Sequence, residues 1–192
     1  MTGVQTCALP ISQSNMKRLL AYSSIAHAGY SLLGLVAGTP AGASATMMYA
    51  FVYAFMTLGA FGVVIGLGER GEDLTGYHGL AATNPGTAAL MFLFLLSLTG
   101  IPPTAGFVAK FGVILSAVRS GHILLAVLAV VCNVVSAFFY LRVAVFMYMT
   151  EPQGLAPGRL PPAVSAVLAV AAFVTIIGGM FPETLAAWTV PP

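Results

Sequence analysis

Charge is what this sequence lacks most: Asp, Glu, Lys and Arg make up 6% of its 192 residues, where a soluble domain carries about 25%. A chain that is 59% hydrophobic cannot clothe itself for water with so few charges, so a soluble fold is excluded although the length suits one domain. Seven Lys plus Arg against five Asp plus Glu leave a formal charge of +2. That field is too weak to gather nucleic acid or steer an anionic substrate. Cysteine is scarce as well. Cys7 and Cys132 are the only two, which excludes a disulfide framework and a CxxC metal pair and leaves the redox compartment unread. No Cys/His metal constellation, Walker loop, nucleophile elbow or haem motif is present. The stretch Gly66-Leu-Gly-Glu-Arg-Gly71 spells GxGxxG, but a dinucleotide fingerprint needs a strand before it, a helix after it and an acid about twenty residues on. Here the glycines end an apolar run and open an acidic loop.

What is present is a series of long apolar runs. A spanning helix needs roughly 17 to 25 mostly apolar residues to cross a hydrocarbon core about 30 Å thick. Residues 19–37, 43–67, 123–149 and 163–181 meet that length. Residues 87–117 exceed it, and Gly100-Ile-Pro-Pro103 falls inside them, where prolines remove backbone donors and disfavour helix just before them. The sequence predicts an all-α membrane bundle of five spans, the third discontinuous near 100–106. Irregular backbone at membrane depth survives only where protein or a water-filled cavity satisfies it, so the break is a site candidate. Residues 68–85, with Glu69, Arg70, Glu72, Asp73, His78 and Asn84, read as an exposed loop. Residues 1–12 look like a translated library adapter. They lack a basic region followed by an apolar core, so the native frame is expected to occupy 13–192.

Orientation follows from the basic residues of short loops. Lys17, Arg18, Arg70, Arg142 and Arg159 lie at or near one face, and Arg119 near the other. The start of the first span is expected to be cytoplasmic and the C-terminus on the opposite face. Gly62 and Gly66 form a GxxxG, a close-packing motif of membrane helices.

Lys110 is the most informative residue. It sits seven positions past Pro103 with apolar sequence on both sides. An ionisable group at that depth costs roughly 2.5 to 3.5 kcal/mol on insertion scales and marks an ion or proton pathway by default. Snorkelling to the interface and pairing with a carboxylate from another helix are the alternatives. On the first span Ser23, His27, Tyr30 and Ser31 fall on one helical face. They suit a proton relay or ordinary interhelical hydrogen bonding. Asn133, Ser136 and Tyr140 make a second stripe, for which packing is the expected role, and Arg142 is expected to snorkel.

Asn15-Met-Lys-Arg-Leu-Leu-Ala-Tyr-Ser-Ser-Ile-Ala-His-Ala-Gly-Tyr30 is similar to the (N/D)-x-K-R-x-x-A-Y-S-S-x-x-H-x-G-Y motif of antiporter-like subunits of complex I and of multisubunit cation/proton antiporters. Leu98-Thr-Gly-Ile-Pro-Pro-Thr-Ala-Gly-Phe-Val-Ala-Lys-Phe111 resembles their broken helix L-x-G-I-P-P-x-x-G-F-x-(G/A)-K. Ala137-Phe-Phe-Tyr-Leu-Arg-Val-Ala144 points toward the subunit N branch, called subunit 2 in mitochondria and plastids. The resemblance runs from about residue 13 to the end. It implies the last five spans of a subunit with about fourteen, and quinone reduction elsewhere driving protons through the bilayer.

By the same resemblance Lys110 is the proton carrier and Tyr22 is the tyrosine of the entry motif; Tyr22, with His27 and Ser23 of the polar stripe, is expected as lining or relay. Gly100, Pro102, Pro103 and Gly106 hold the helix break. NADH, FMN, iron-sulfur clusters and quinone are expected on other subunits, with no cofactor or metal on this chain. Expected partners are other membrane subunits, the lipid bilayer and protons, with no nucleic acid; the expected location is a bacterial inner membrane. Rival readings are a sodium/proton antiporter subunit, a structural or assembly subunit, and a carrier with its site at the break.

Overall fold

The structure, a computed structural model, describes residues 13–152 and 160–183. The adapter-like leader, Arg159, the C-terminus and most of the loop before the last span therefore lie outside the described residues. Among the described residues there are seven α-helices, which we number α1 Met16–Val36, α2 Pro40–Gly66, α3 Leu80–Thr83, α4 Pro85–Thr99, α5 Ala105–Arg119, α6 Ile123–Met149 and α7 Pro162–Met180. Two 3-10 turns, Gly68–Gly71 and Leu74–Tyr77, lie between α2 and α3.

Caps explain why α1, α2 and α4 begin two or three residues before their apolar runs. Asn15 accepts the Arg18 N–H at 3.1 Å, Thr39 accepts that of Gly42 at 3.1 Å, and Asn84 accepts that of Thr87 at 3.3 Å. These side chains satisfy donors that a helix start leaves orphaned. Proline in the first turn of α2 and α4 costs nothing there, because its missing donor is not needed.

Helices α1, α2, α6 and α7 have 21, 27, 27 and 19 residues, enough to span a bilayer. Helices α4 and α5 have 15 each, roughly 22 Å at 1.5 Å per residue, and supply the third span as two pieces. The chain is a polytopic, multi-pass helical membrane bundle of five spans with the third one discontinuous. Its outer surface is apolar: Leu124, Val127, Val131, Val134 and Phe138 on α6 are exposed, as suits a helix face turned to lipid or a neighbouring helix. Its interior holds the polar residues Ser23, His27, Ser97, Thr99, Lys110 and Ser136. The GxxxG face does pack closely. A Cβ on Gly62 would lie 3.0 Å from Leu168, and one on Gly66 would run into Leu160, so the two glycines let leucine side chains of α7 and of the residues just before it settle against the α2 backbone.

The loop over 68–85 departs from the exposed segment expected. Gly71, Leu74, Tyr77, Gly79 and Leu80 are buried, because Leu74, Tyr77 and Leu80 recur every third residue and turn one apolar edge onto the helix ends. Backbone bonds strap it down: Met16 N–H to Glu72 O at 2.6 Å, Leu74 N–H to Ser14 O at 2.8 Å and Gly79 N–H to Phe146 O at 3.0 Å. Lys17 and Glu72 add an exposed ion pair of 2.6 Å, worth at most about 1 kcal/mol. The described basic residues Lys17, Arg18 and Arg70 share this face, and Arg119 lies at the other end of the bundle.

Candidate functional site

Gly100 adopts φ 82°, a left-handed conformation open to glycine that ends α4. Its N–H returns to Leu96 O at 2.9 Å. Beyond it the chain turns through Pro102 and Pro103, both exposed on the outside of the bundle. Proline has no N–H, so these two residues present no unsatisfied donor to an apolar surround. The start of α5 then lies beside the end of α4. The Gly106 N–H donates to Ser97 Oγ at 3.1 Å, and a Cβ at Gly106 would collide with the Ser97 carbonyl. Gly179 of α7 leaves room for Pro103 and Thr104 in the same way. Gly100, Pro102, Pro103 and Gly106 thus build the break, and neighbouring helices cover its inner side.

That overlap carries Lys110 to the open end of α4. Its side chain is buried, 4% exposed. Nζ donates to Leu98 O at 2.6 Å, to Thr99 O at 3.1 Å and to Asn133 Oδ1 at 2.5 Å. The first two are carbonyls that a helix end leaves without partners, and they form the negative pole of the α4 dipole. The Tyr30 ring faces the amine with its centroid 5.0 Å away, a cation–π contact. A lysine ammonium has three donors, and three oxygens meet them. No acidic side chain is among these partners, so the charge is held by neutral groups, carbonyl dipoles and the Tyr30 ring.

A second cluster lies on the side of α1 toward its first residue. His27, 3% exposed, bonds the Tyr49 hydroxyl through Nδ1 at 2.6 Å and the Tyr140 hydroxyl through Nε2 at 3.4 Å. The Tyr140 hydroxyl in turn bonds Ser23 Oγ. Helices α1, α2 and α6 thereby contribute to one buried chain, Tyr49, His27, Tyr140, Ser23. Neutral imidazole donates from one nitrogen and accepts at the other, so switching tautomer reverses the polarity of the whole chain. Tyr30 stands between the two clusters, its ring centroid 6.1 Å from that of His27. Its hydroxyl donates to Ala129 O at 2.7 Å.

The structure thus brings His27 and Ser23 into one cluster and sets Lys110 in the other, with Tyr30 between them. Tyr22 is half-buried and, one position from Ser23, is turned about 100° around the helix from it. The Ser31 hydroxyl donates back to its own helix, to His27 O at 3.3 Å, and that of Ser136 to Cys132 O at 2.9 Å. Arg142 leans toward the strapped loop, over the Phe146 ring at 5.3 Å, beside a cavity of about 370 Å³ that Asp73, His78 and Arg142 line. Asn133 and Tyr140 were visible in sequence as a stripe but carried no sign that the stripe meets an amine and an imidazole. Tyr49 was missed. Its signal was the Tyr49, Tyr53 pair at helical spacing, whose rings lie 6.4 Å apart beside His27.

A family model described as NADH:quinone oxidoreductase/Mrp antiporter, TM matches residues 1–138. NADH-quinone oxidoreductase subunit N 2 of Rhizobium meliloti (strain 1021) is 51% identical over 173 residues, which cover 88% of this chain and 36% of that protein. Subunit N of Desulfovibrio desulfuricans (strain ATCC 27774 / DSM 6949 / MB) is 46% identical, covering 93% and 39%. The chain therefore spans between a third and two fifths of the length of these relatives. Among solved structures, a chain of respiratory complex I from Thermus thermophilus with bound Aureothin superposes with TM-score 0.84 at 34% identity, over 96% of this chain and 42% of that one. A chain of the Mrp complex from Dietzia sp. DQ12-45-1b gives 0.85 at 23%, over 97% and 43%, a likeness of fold. With the match over residues 1–138, this chain belongs to the NADH:quinone oxidoreductase/Mrp antiporter transmembrane family.

Proposed function

We propose that this chain is part of a proton-translocating membrane subunit of an NADH-quinone oxidoreductase, in which Lys110 takes up and releases the proton. One observation carries the reading: an amine buried at a helix break, held by three neutral oxygens and by no counter-ion among the described residues. An amine fixed by a carboxylate would be locked in its charged form, whereas dipoles hold the charge loosely enough for it to leave. The Ser23, Tyr140, His27, Tyr49 chain supplies a relay toward the face bearing Lys17 and Arg18. The Tyr30 ring shields the step between relay and amine.

The relatives at 46 to 51% identity are NADH-quinone oxidoreductase subunits, and these favour redox-driven pumping over the rival reading of sodium/proton exchange. In this reading NADH, FMN, iron-sulfur clusters and quinone belong to other subunits, and this chain docks on further membrane subunits and lipid. The subunit resides in a bacterial inner membrane. The first residues of α1 are cytoplasmic, by the clustering of Lys17, Arg18 and Arg70 there.

Replacing Lys110 by Met in the parent subunit and measuring proton translocation during NADH oxidation by the assembled complex tests this. A loss of roughly a hundredfold or more is expected, the scale of removing a proton-transfer group. Undiminished pumping by an assembled Lys110→Met complex would reject it.

A further inference from the structure

A lysine ammonium offers three N–H donors and no acceptor, while the neutral amine offers two donors and a lone pair. The oxygens around Lys110 Nζ, those of Leu98, Thr99 and Asn133, match the ammonium one for one. Once the proton leaves, one of them must face a lone pair, and a buried acceptor turned on a lone pair is unfavourable. Leu98 and Thr99 present backbone carbonyls at the end of α4, and these cannot become donors. The Tyr30 ring attracts a charge and gives a neutral amine nothing to bond; its hydroxyl is engaged by Ala129 O.

Asn133 differs from all of these. Its amide carries an oxygen acceptor and an NH2 donor on one carbon, joined by a terminal torsion that is broad and roughly two-fold. It is also the one hydrogen-bonding side chain that α6 sets between Ile123 and Val135 other than Cys132, a weak donor.

We propose that Asn133 is the proton-state partner of Lys110: its Oδ1 accepts from the ammonium, and when the proton leaves, the amide turns over so that Nδ2 donates to the amine. The neutral amine then keeps its two N–H bonds to Leu98 O and Thr99 O and gains a donor for its lone pair. The amine can lose and regain a proton without leaving its place, and the end of α4 stays satisfied in both states. This rests on Lys110 being the proton carrier and deepens that reading by naming what makes its two states interconvertible.

The test uses the assembled complex with three variants, its assembly checked for each. Asn133→Asp keeps an acceptor but cannot donate when ionised, Asn133→Leu removes both functions at similar size, and Asn133→Gln keeps both. Proton translocation is expected to fall about ten- to a hundredfold in the Asp and Leu variants, the scale of one charge-assisted hydrogen bond, and to be largely retained in Gln. A second readout is infrared difference spectroscopy between the resting and turning-over complex. A side-chain amide carbonyl band should shift in the unaltered protein, vanish in Asn133→Leu and stand still in Lys110→Met. Undiminished pumping in Asn133→Leu, equal losses in all three variants, or an amide band that shifts without Lys110 overturns the proposal. Undiminished pumping in Lys110→Met would instead sink the proton-carrier reading beneath it.

Discussion

The amine of Lys110, on α5, closes the carbonyl of Leu98, at the end of α4, across 2.6 Å. This side chain therefore joins the two half-helices in addition to the backbone and the Gly106–Ser97 bond. Gly100 stands in the path of the lysine stem: a Cβ there would lie 2.9 Å from Lys110 Cδ and would have to sit at φ 82°. Gly100→Ala should cost about 1–2 kcal/mol from the left-handed backbone alone and should push the amine off the α4 carbonyls. Thermal denaturation of the purified complex, paired with its proton-to-electron ratio, checks this. The ratio should fall further than the modest loss of stability explains.

Among the described residues, the Tyr140 hydroxyl is the one that bridges His27 and Ser23. Tyr140→Phe keeps the ring among its apolar neighbours and removes that bridge, so proton translocation should slow by about tenfold or more. Tyr53→Phe is the matched control. Its hydroxyl donates to Ser24, which donates back to Leu20 O, and its loss should leave the rate close to that of the unaltered complex.

Gly59 is packed against the ring of Phe94, into which a Cβ would run. Gly59→Val should destabilise the α2–α4 contact by about 1–3 kcal/mol, the usual cost of overpacking. A second change, Phe94→Leu, which opens space at that ring, should return part of the loss in a denaturation assay.

Tyr77 anchors the loop, its hydroxyl donating to Gly71 O at 3.0 Å. Burial pushes this phenol up from its ordinary value. A phenol freed from the fold ionises near pH 10, so the folded loop keeps a proton that the opened loop gives up. The stability this contributes is complete below pH about 10 and falls as pH rises beyond it. Brief subtilisin proteolysis should show cleavage between Arg70 and His78 increasing above that pH. Tyr77→Phe should cleave sooner at neutral pH and lose the alkaline rise.

The spans were legible because membrane length and apolar composition leave little freedom. Residues 123–149 match α6 to the residue, and the break followed from Gly100, Pro102 and Pro103. The caps Asn15, Thr39 and Asn84 moved the other starts, since a capping side chain can begin a helix in polar sequence that a hydropathy reading passes over. The loop was misjudged because charge dominates its composition, whereas its fold is decided by Leu74, Tyr77 and Leu80. Within the site, Lys110 declared itself as a lone charge among apolar residues. Asn133 and Tyr49 did not, because what makes them matter is which residues of other helices they touch, and a single sequence carries no register between helices.

The most direct test of a proton-carrying amine at position 110 is to remove it and rebuild it. In the parent subunit carrying Lys110→Cys, the assembled complex is treated with bromoethylamine, which converts the thiol to a thioether ending in an amine at nearly the lysine position. A parallel sample receives a neutral alkyl group of similar size, with mass spectrometry establishing that each reagent has reached the thiol. Proton translocation during NADH oxidation should be lost in the cysteine variant, return with the amine and stay lost with the neutral group. Full translocation in the cysteine variant, or equal recovery with both reagents, would contradict the account.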